Sequence, residues 1–305
     1  MRKFISRLLE CFLVITLLAV SPAWAIDWDL KGSLGEGKHK RYVAPVSNPL
    51  LNETPYITTE ARLVFIHHSF PSNTPLPGLG PLGGGNTNIF ALQLRIALTE
   101  RLGFIANKDG YADVNFNAPG LSDDGFANIA FGFKYALFSN PENETLVTAG
   151  LTYEPPTGRL KAGALWLQGN GDGFITPFIS AANTYGKLGV EAMLNTKLAL
   201  DRNKNASWFH YALHVDYEVL PDLFPLVELN GYTPINEANL NPFAFEGYDV
   251  VSIGGNDLST VLSFAVGSRY KISDHVVAGI AYETPLTGKQ DLLNWRLTAD
   301  LIFYY

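Results

Sequence analysis

The chain has one cysteine among its 305 residues, and it has almost no long apolar runs. Cys11 lies in the first apolar run, so no disulfide framework and no site with several cysteine ligands can form within the chain. Downstream of that run, no stretch of 18 consecutive apolar residues occurs. This absence excludes a protein that crosses a membrane with several helices.

Basic residues are too few and too scattered for nucleic-acid binding. The chain has 22 Lys and Arg against 29 Asp and Glu, which is a formal net charge of −7. Removing residues 1–25 takes away three basic residues and one acidic residue, and no basic cluster is left. Because nucleic-acid binding needs a basic surface for the phosphates, we expect no nucleic-acid partner.

Residues 1–25 have the pattern of a secretory signal peptide. Three basic residues open the chain: Arg2, Lys3 and Arg7. The apolar run Cys11–Val20 follows, and it is much shorter than the roughly twenty residues that cross a bilayer as a helix. Ala23-Trp24-Ala25 supplies the small residues that signal peptidase needs. Ile26 stands where a lipoprotein would have a cysteine, so we expect plain cleavage after Ala25.

Alternation of apolar and polar residues through most of the chain predicts β-strands. The last segment is the clearest case. Its apolar face holds Leu293, Trp295, Leu297, Ala299, Leu301, Phe303 and Tyr305. Its other face holds Asn294, Arg296, Thr298 and Asp300. A terminal aromatic residue is typical of the strand that the outer-membrane assembly machinery recognises, so this machinery is an expected partner.

The polar faces of the predicted strands carry many charged side chains. A soluble core does not tolerate so many unpaired charges, whereas the lumen of a membrane barrel does, with the apolar face against lipid. The predicted lumen-lining residues are Arg95, Lys134, Glu191, His210, His214, Asp216, Glu218, Arg269, Arg296 and Asp300. Their mixed signs favour cross-strand ion pairs, and the alternative is a weakly selective channel lining.

The spacing of the connections predicts the number of strands. Five short turns are expected at Thr99–Arg101, Ser139–Asn143, Tyr185–Gly186, Pro221–Asp222 and Ser273–Asp274. Six longer links are expected at Ser69–Thr87, Lys108–Gly125, Pro156–Asp172, Asp201–Asn205, Thr233–Asp257 and Pro285–Gln290. This alternation requires twelve antiparallel strands with both termini of the chain in the periplasm, and ten or fourteen strands are the alternatives. We predict an all-β transmembrane barrel over residues 57–305, with Ile57–His68 as its first strand.

Residues 26–56 do not alternate. They form either a periplasmic extension or a plug that folds into the barrel. Their glycine-rich and basic pieces, which include Lys38, Lys40 and Arg41, favour a mobile extension.

The sequence predicts no metal or cofactor site. His210, His214, Asp216 and Glu218 share one strand face. However, positions four apart on a strand lie roughly 13 Å apart, which is too far for one ion.

A catalytic alternative rests on His67-His68-Ser69 at the end of the first predicted strand. A lipid hydrolase needs a serine nucleophile, a histidine base and an orienting Asn or acid. Adjacent strand residues point to opposite faces, so only one histidine can serve Ser69 from its own strand. The His-x-Ser-Asn-Gly pattern of outer-membrane phospholipases is absent, because Phe70-Pro71 precedes Asn73.

Three short motifs carry a resemblance to a known family. They are Leu98-Thr99-Glu100-Arg101-Leu102-Gly103, Gly132-Phe133-Lys134-Tyr135 and Tyr153-Glu154-Pro155-Pro156-Thr157-Gly158. From about residue 57 to its end, the chain resembles the outer-membrane proteins of phenol degradation pathways, which are described as transporters. The resemblance implies a barrel that takes up hydrophobic or aromatic compounds.

The main hypothesis is therefore an outer-membrane channel for small, hydrophobic or aromatic solutes. It would contact outer-membrane lipids and would not be an enzyme. The alternatives are a lipid hydrolase that uses His67, His68 and Ser69, and a structural barrel that displays its loops, chiefly Thr233–Asp257.

Export gives the first testable prediction. Mature protein isolated from outer membranes should begin at Ile26, because the apolar run is too short to serve as an anchor. N-terminal sequencing measures this directly. A mature chain that still begins at Met1 would contradict the export argument.

Overall fold

The computed structural model describes residues 28–78, 80–163, 165–255 and 257–305, and the predicted signal peptide lies outside them. In chain order, the strands are β1 (Glu60–Phe70), β2 (Pro75–Leu76), β3 (Gly80–Pro81), β4 (Gly85–Ala97), β5 (Leu102–Lys108), β6 (Gly110–Phe116), β7 (Ser122–Phe126), β8 (Ala130–Asn140), β9 (Thr145–Glu154), β10 (Lys161–Ala162), β11 (Leu165–Trp166), β12 (Phe174–Tyr185), β13 (Leu188–Ala199), β14 (Ser207–Tyr217), β15 (Leu223–Asn236), β16 (Val261–Ser273), β17 (Val276–Pro285) and β18 (Trp295–Tyr304). A 3-10 turn spans Pro141–Asn143. None of the helical structure in the described residues is long and apolar enough to cross a membrane.

Twelve of these strands form a closed antiparallel barrel, as the sequence predicts. The barrel strands are β1, β4, β5, β8, β9 and β12–β18. Closure occurs at β1, where Leu63 lies opposite Leu301 of β18 on one side and Leu92 of β4 on the other. Because every barrel strand has two partners, the sheet has no free edge along most of its length.

The two ends of the barrel differ in their connections. The five short turns occur where they are predicted, and Glu60 lies opposite Tyr304 at that same end. We call this end the turn end and the opposite end the loop end. The sequence predicts a loop at Lys108–Gly125, but the structure has the hairpin β6–β7 there. In this hairpin, β6 pairs with the loop-end half of β4, with Ala112 opposite Ile89.

The outward and inward faces follow the alternation in the sequence. In β18, Leu297, Leu301 and Phe303 face outward, while Arg296 and Asp300 are buried on the inward face. The sequence predicts that Leu293 faces outward in this row, and this is wrong: Leu293 precedes β18 and is buried. The first strand also begins later than predicted, at Glu60, because Ile57 and Thr58 belong to the segment inside the barrel.

Gly132 of β8 permits a close approach of two strands. A Cβ atom at this position would lie 2.0 Å from the backbone oxygen of Leu151 and 2.8 Å from Cα of Thr152 on β9. No side chain fits between these backbones unless the strands separate. Gly125 of β7 offers a contrast, because a Cβ there meets only Leu160 Cδ1, at 3.7 Å.

Gly132→Ala should therefore destabilise the barrel, by about 1–3 kcal/mol on the scale of overpacked sites. Gly125→Ala is the matched control and should leave the stability close to that of the unchanged protein. Urea-induced unfolding in detergent, followed by tryptophan fluorescence, measures both. Equal midpoints for the two variants would contradict the close approach.

Candidate functional site

The interior of the barrel is filled by residues 43–58, which we call the inner segment. The sequence favours a mobile extension over a plug, and this prediction is wrong for residues 43–58. All of them except the half-buried Leu50 are buried inside the ring of strands. The inner segment has no helix or strand. Pro45, Pro49 and Pro55 contribute to this, because proline lacks the N–H that regular structures use.

The carbonyl groups of the inner segment are bound by side chains of the barrel wall. Seven carbonyls accept such hydrogen bonds: Ala44 from Arg269, Pro45 from Arg62 and Arg269, Pro49 from Gln93, Leu50 from Asn107, Leu51 from Asn195, Thr54 from Lys134, and Pro55 from Thr148. A buried carbonyl without a partner is costly. The wall therefore supplies the donors that a neighbouring strand would otherwise supply.

Glu228 of β15 binds the N–H groups of the inner segment. Its two carboxylate oxygens accept from the backbone nitrogens of Val46 and Ser47, at 2.8 and 2.7 Å. His214 Nδ1 lies 2.8 Å from the same carboxylate. Asn48 adds a side-chain contact, donating from Nδ2 to the hydroxyl of Tyr232 at 2.7 Å.

Glu53 is the only charged residue in the inner segment, and it binds two cations of the wall. Its carboxylate accepts from Arg95 at 2.9 and 2.7 Å and from Lys134 Nζ at 2.7 Å. Arg95 also reaches Glu60 at 3.1 Å. Each of these side chains is at most 3% exposed. Such a group of buried charges is stable only while its members stay together.

A second charged cluster holds the start of the inner segment. Arg62 and Arg269 both bind the carboxylate of Asp300, and both donate to the carbonyl of Pro45, at 2.8 and 2.9 Å. Nearer the turn end, Arg41 binds Asp216 and the carbonyl of Lys187. Ion pairs thus hold the chain at Arg41 and at Glu53, and hydrogen bonds from two arginines hold it at Pro45.

Most of the predicted lumen-lining residues face inward, but they do not face water. Nine of them are buried, each 7% exposed or less: Arg95, Lys134, Glu191, His210, His214, Asp216, Arg269, Arg296 and Asp300. Glu218 is a correction, because it follows the end of β14 and lies partly exposed at the turn end. Most of the buried residues in this set form ion pairs, as their mixed signs predict, and the inner segment and these pairs fill the space around them.

Apolar side chains from the long connections pack together at the loop end. We call this cluster the loop cap. It contains Phe70, Leu76, Leu82, Ala112, Val114, Phe116, Leu160, Ala162, Leu165, Leu167, Phe245, Val250, Val251, Ile253 and Leu292. The connections therefore fold over the barrel instead of standing in solvent.

Glu246 organises one of the connections in the loop cap. Its carboxylate accepts from the backbone nitrogens of Gly247, Ile253 and Gly254, at 2.7, 2.7 and 2.8 Å. Burial raises the pKa of Glu246 to about 7, against the three donors, which favour the ionised form. The protonated carboxyl group of Glu246 therefore stabilises the folded state fully below pH 4.5, its ordinary pKa. This stabilisation is lost as the pH rises through about 7.

Two cavities lie on either side of the inner segment. The upper pocket, of about 60 Å³, lies between the inner segment and the loop cap. Its apolar lining consists of Pro49, Leu50, Val64, Ile66, Ile89, Ala91, Ala112, Ala127, Leu160 and Val250. Polar side chains also line the pocket: Gln93, Asn107, Lys108, Asp109, Gln168 and Asp249. The vestibule, of about 710 Å³, lies at the turn end and is lined by residues that include Arg41, Glu218 and Lys271. No group of three potential metal ligands occurs among the described residues.

The residues of the catalytic alternative fall on two faces of β1. His68 faces inward, is buried, and donates from Nε2 to the carbonyl of Leu292 at 2.7 Å. His67 and Ser69 face outward. His67 Nδ1 lies 2.8 Å from Asn88 Oδ1, and Ser69 Oγ accepts from Asn294 Nδ2 at 3.2 Å.

Glu53 and Glu228 are the site residues that the sequence argument missed. One signal was present in the sequence: residues 43–58 carry a single charge, and they are rich in apolar residues and proline. Disordered segments are typically charged and poor in apolar residues. This composition is closer to that of a buried segment than to that of a mobile tail.

Comparisons with known proteins bear on the fold. No family model matches the chain, and no curated protein matches it. An outer membrane channel from Pseudomonas putida F1 is similar over 87% of this chain and 100% of its own, with a TM-score of 0.60 and 14% identity. The translocator domain of autotransporter NalP from Neisseria meningitidis covers 85% of this chain and 92% of its own, with a TM-score of 0.48 and 12% identity. The KdgM porin covers 80% and 99%, with a TM-score of 0.46 and 10% identity.

The likeness to the Pseudomonas channel shows that this chain has the fold of an outer-membrane β-barrel. At 14% identity, this likeness is evidence for the fold and not for the function. The resemblance to the phenol-degradation family therefore stays a prediction.

Removing the charge of Glu53 should release the inner segment. Glu53→Gln leaves Lys134 buried without its anion and leaves Arg95 with Glu60 as its remaining carboxylate. Breaking a buried pair in this way costs about 3–5 kcal/mol. Thr54→Cys provides the reporter, because the chain from Ile26 onward contains no cysteine. A maleimide should label Cys at this position quickly in the Glu53→Gln variant and slowly in its parent.

Glu36→Gln is the matched control for this experiment. Glu36 precedes the inner segment and is exposed, so its substitution should leave the labelling rate unchanged. Equal labelling in the Glu53→Gln variant and in the control would show that Glu53 does not hold the segment.

Proposed function

We propose that the protein is an outer-membrane channel for small apolar or aromatic compounds, and that its own inner segment holds it closed. The closed barrel and its outward apolar rows support a place in the outer membrane, with the turn end in the periplasm. The likeness to an outer membrane channel is consistent with this location.

The observation that carries the proposal is a change of polarity along the inward face of β1 and β4. Towards the turn end, this face holds charged and polar residues, such as Arg62, Gln93 and Arg95. Further along, it holds Val64 and Ile66 of β1 with Ile89 and Ala91 of β4, and these line the upper pocket. The buried polar side chains of His68 and Thr87 follow them nearer the loop end. An apolar solute gains more from contact with this apolar part of the wall than an ion or a sugar does, and the few polar groups of the pocket can orient it.

The size of the upper pocket indicates that the solute is small and that the pocket must widen. A dry cavity of about 150 Å³ holds a benzene molecule, which exceeds the 60 Å³ present here. Leu50 and Leu160 contribute to its walls from irregular connections rather than from barrel strands. Movement of these two walls requires no break in the barrel.

Conductance tests the channel. Protein that lacks residues 26–56 should conduct steadily in planar bilayers, because the inner segment no longer fills the lumen, whereas the mature protein should conduct little. Deleting residues 26–42 alone is the control and should leave the current low. If the protein lacking residues 26–56 is folded and does not conduct, the channel function fails.

Ligand binding tests the solute class. The fluorine NMR line of 4-fluorophenol should broaden in the presence of the detergent-solubilised protein. Ile66→Asp should weaken binding at least about tenfold. The phenol ring would have to displace the water that hydrates the new carboxylate, and this is costly. Leu63→Ala, on the outward face of the same strand, should bind like the unchanged protein. Equal broadening in all three proteins would show that the upper pocket does not take the phenol.

A further inference from the structure

The outward face of β1 carries a group of polar side chains that the channel does not use. His67 and Ser69 are two residues apart, so both point away from the lumen. Asn88 lies directly opposite His67 on β4, and Trp295 of β18 lies opposite Ser69. Asn294 precedes Trp295. The group therefore draws on three neighbouring segments of the barrel near the loop end.

The contact with Asn88 sets the tautomer of His67. The side-chain oxygen of Asn88 only accepts hydrogen bonds, and it lies 2.8 Å from Nδ1 of His67. Nδ1 therefore carries the proton, and Nε2 is left with a free electron pair, as a general base requires. The ring also packs against Trp295, with 5.2 Å between centroids, which restricts its rotation.

Ser69 is arranged as a nucleophile would be. Its Oγ accepts a hydrogen bond from Asn294 Nδ2 at 3.2 Å, which leaves its own proton free to be transferred. The same amide lies beside the atom to which a carbonyl carbon would bond. It can therefore donate to the oxyanion that forms there. His67 and Ser69 have no hydrogen bond with each other in the described structure, and catalytic contacts of this kind are often long until substrate binds.

The position of the group suits an ester in a lipid. His67 and Ser69 face away from the lumen, and Trp295 stacks on Tyr282 with 5.9 Å between centroids. Tryptophan and tyrosine gather at the level of the lipid headgroups, which is where the acyl esters of glycerolipids also lie. This step rests on the membrane location proposed above and not on conduction through the barrel.

We propose that Ser69, His67, Asn88 and Asn294 form a lipid-facing acyl-ester hydrolase site, separate from the channel. Ser69 Oγ attacks the ester carbonyl carbon while its proton passes to His67 Nε2, and the amide of Asn294 donates to the oxyanion. The ester C–O bond breaks, and the leaving alcohol takes the proton from His67. Water then attacks the acyl-serine and gives its proton to His67, which returns it to Ser69 Oγ as the fatty acid leaves. His68 takes no part, because it is buried on the inward face.

Covalent labelling tests the nucleophile. Purified mature protein in detergent micelles is incubated with a fluorophosphonate, and labelled peptides are identified by mass spectrometry. We expect label on Ser69 of the folded protein and none in the Ser69→Ala variant. Ser72→Ala is the matched control, since Ser72 lies three residues along the chain and outside the site. Protein with this substitution should still be labelled on Ser69. Folded protein without label on Ser69 would overturn the proposal.

Hydrolysis tests the other three residues. Micelles that contain a phosphatidylcholine with a fluorogenic acyl chain report fatty-acid release. Ser69→Ala should abolish release, and Asn294→Ala should lower kcat about 100-fold, as the loss of one oxyanion donor does. Asn88→Ala should lower kcat and change its pH profile, because His67 loses the bond that sets its tautomer.

Two readouts keep this proposal separate from the channel. The faster gel migration of unboiled protein shows that each variant is folded, and the conductance of Ser69→Ala in protein lacking residues 26–56 should be unchanged. Release that is equal in the unchanged protein and in folded Ser69→Ala would overturn the hydrolase whatever the conductance shows. Loss of conduction with release intact would overturn only the channel.

Discussion

The structure depends on one constraint: the inner segment has no strand beside it, yet its backbone is buried. Its polar groups must then find most of their partners on side chains, because they are buried and no strand pairs with the segment. The wall meets this demand with amides, guanidinium groups and one ammonium group for the carbonyls, and with Glu228 for two N–H groups. The polar inward face of the barrel is thus largely a binding surface for the protein's own chain.

This constraint also explains why the inward face carries charges of both signs. Arg95 and Lys134 surround Glu53, and Arg62 and Arg269 surround Asp300. Buried charges of this kind make the inner segment and the wall depend on each other, since either one alone leaves unpaired groups. In the proposed channel, water must take over these hydrogen bonds when the segment leaves the lumen, so opening and hydration of the barrel are the same event.

Successive residues of β1 point alternately into the lumen and out of the barrel. Its inward residues pass from Arg62 to Ile66, which is a change from charged to apolar along the lumen. Its outward residues include His67 and Ser69, which meet Asn88 and Asn294 on the outer surface. Adjacent residues of one strand can thus take part in the two proposed activities, because each faces a different medium.

The sequence by itself determined the barrel. Alternation depends only on which residues a strand presents to each medium, so the strands, the five turns and the inward position of Arg95 or Asp300 could be predicted from local pattern. The tertiary structure alone decided the path of residues 43–58, since irregular chain has no period, and the partners of Glu53 lie 42 and 81 residues away. It alone decided the register that places Asn88 beside His67, because a long connection joins β1 to β4 and no tight turn fixes their pairing.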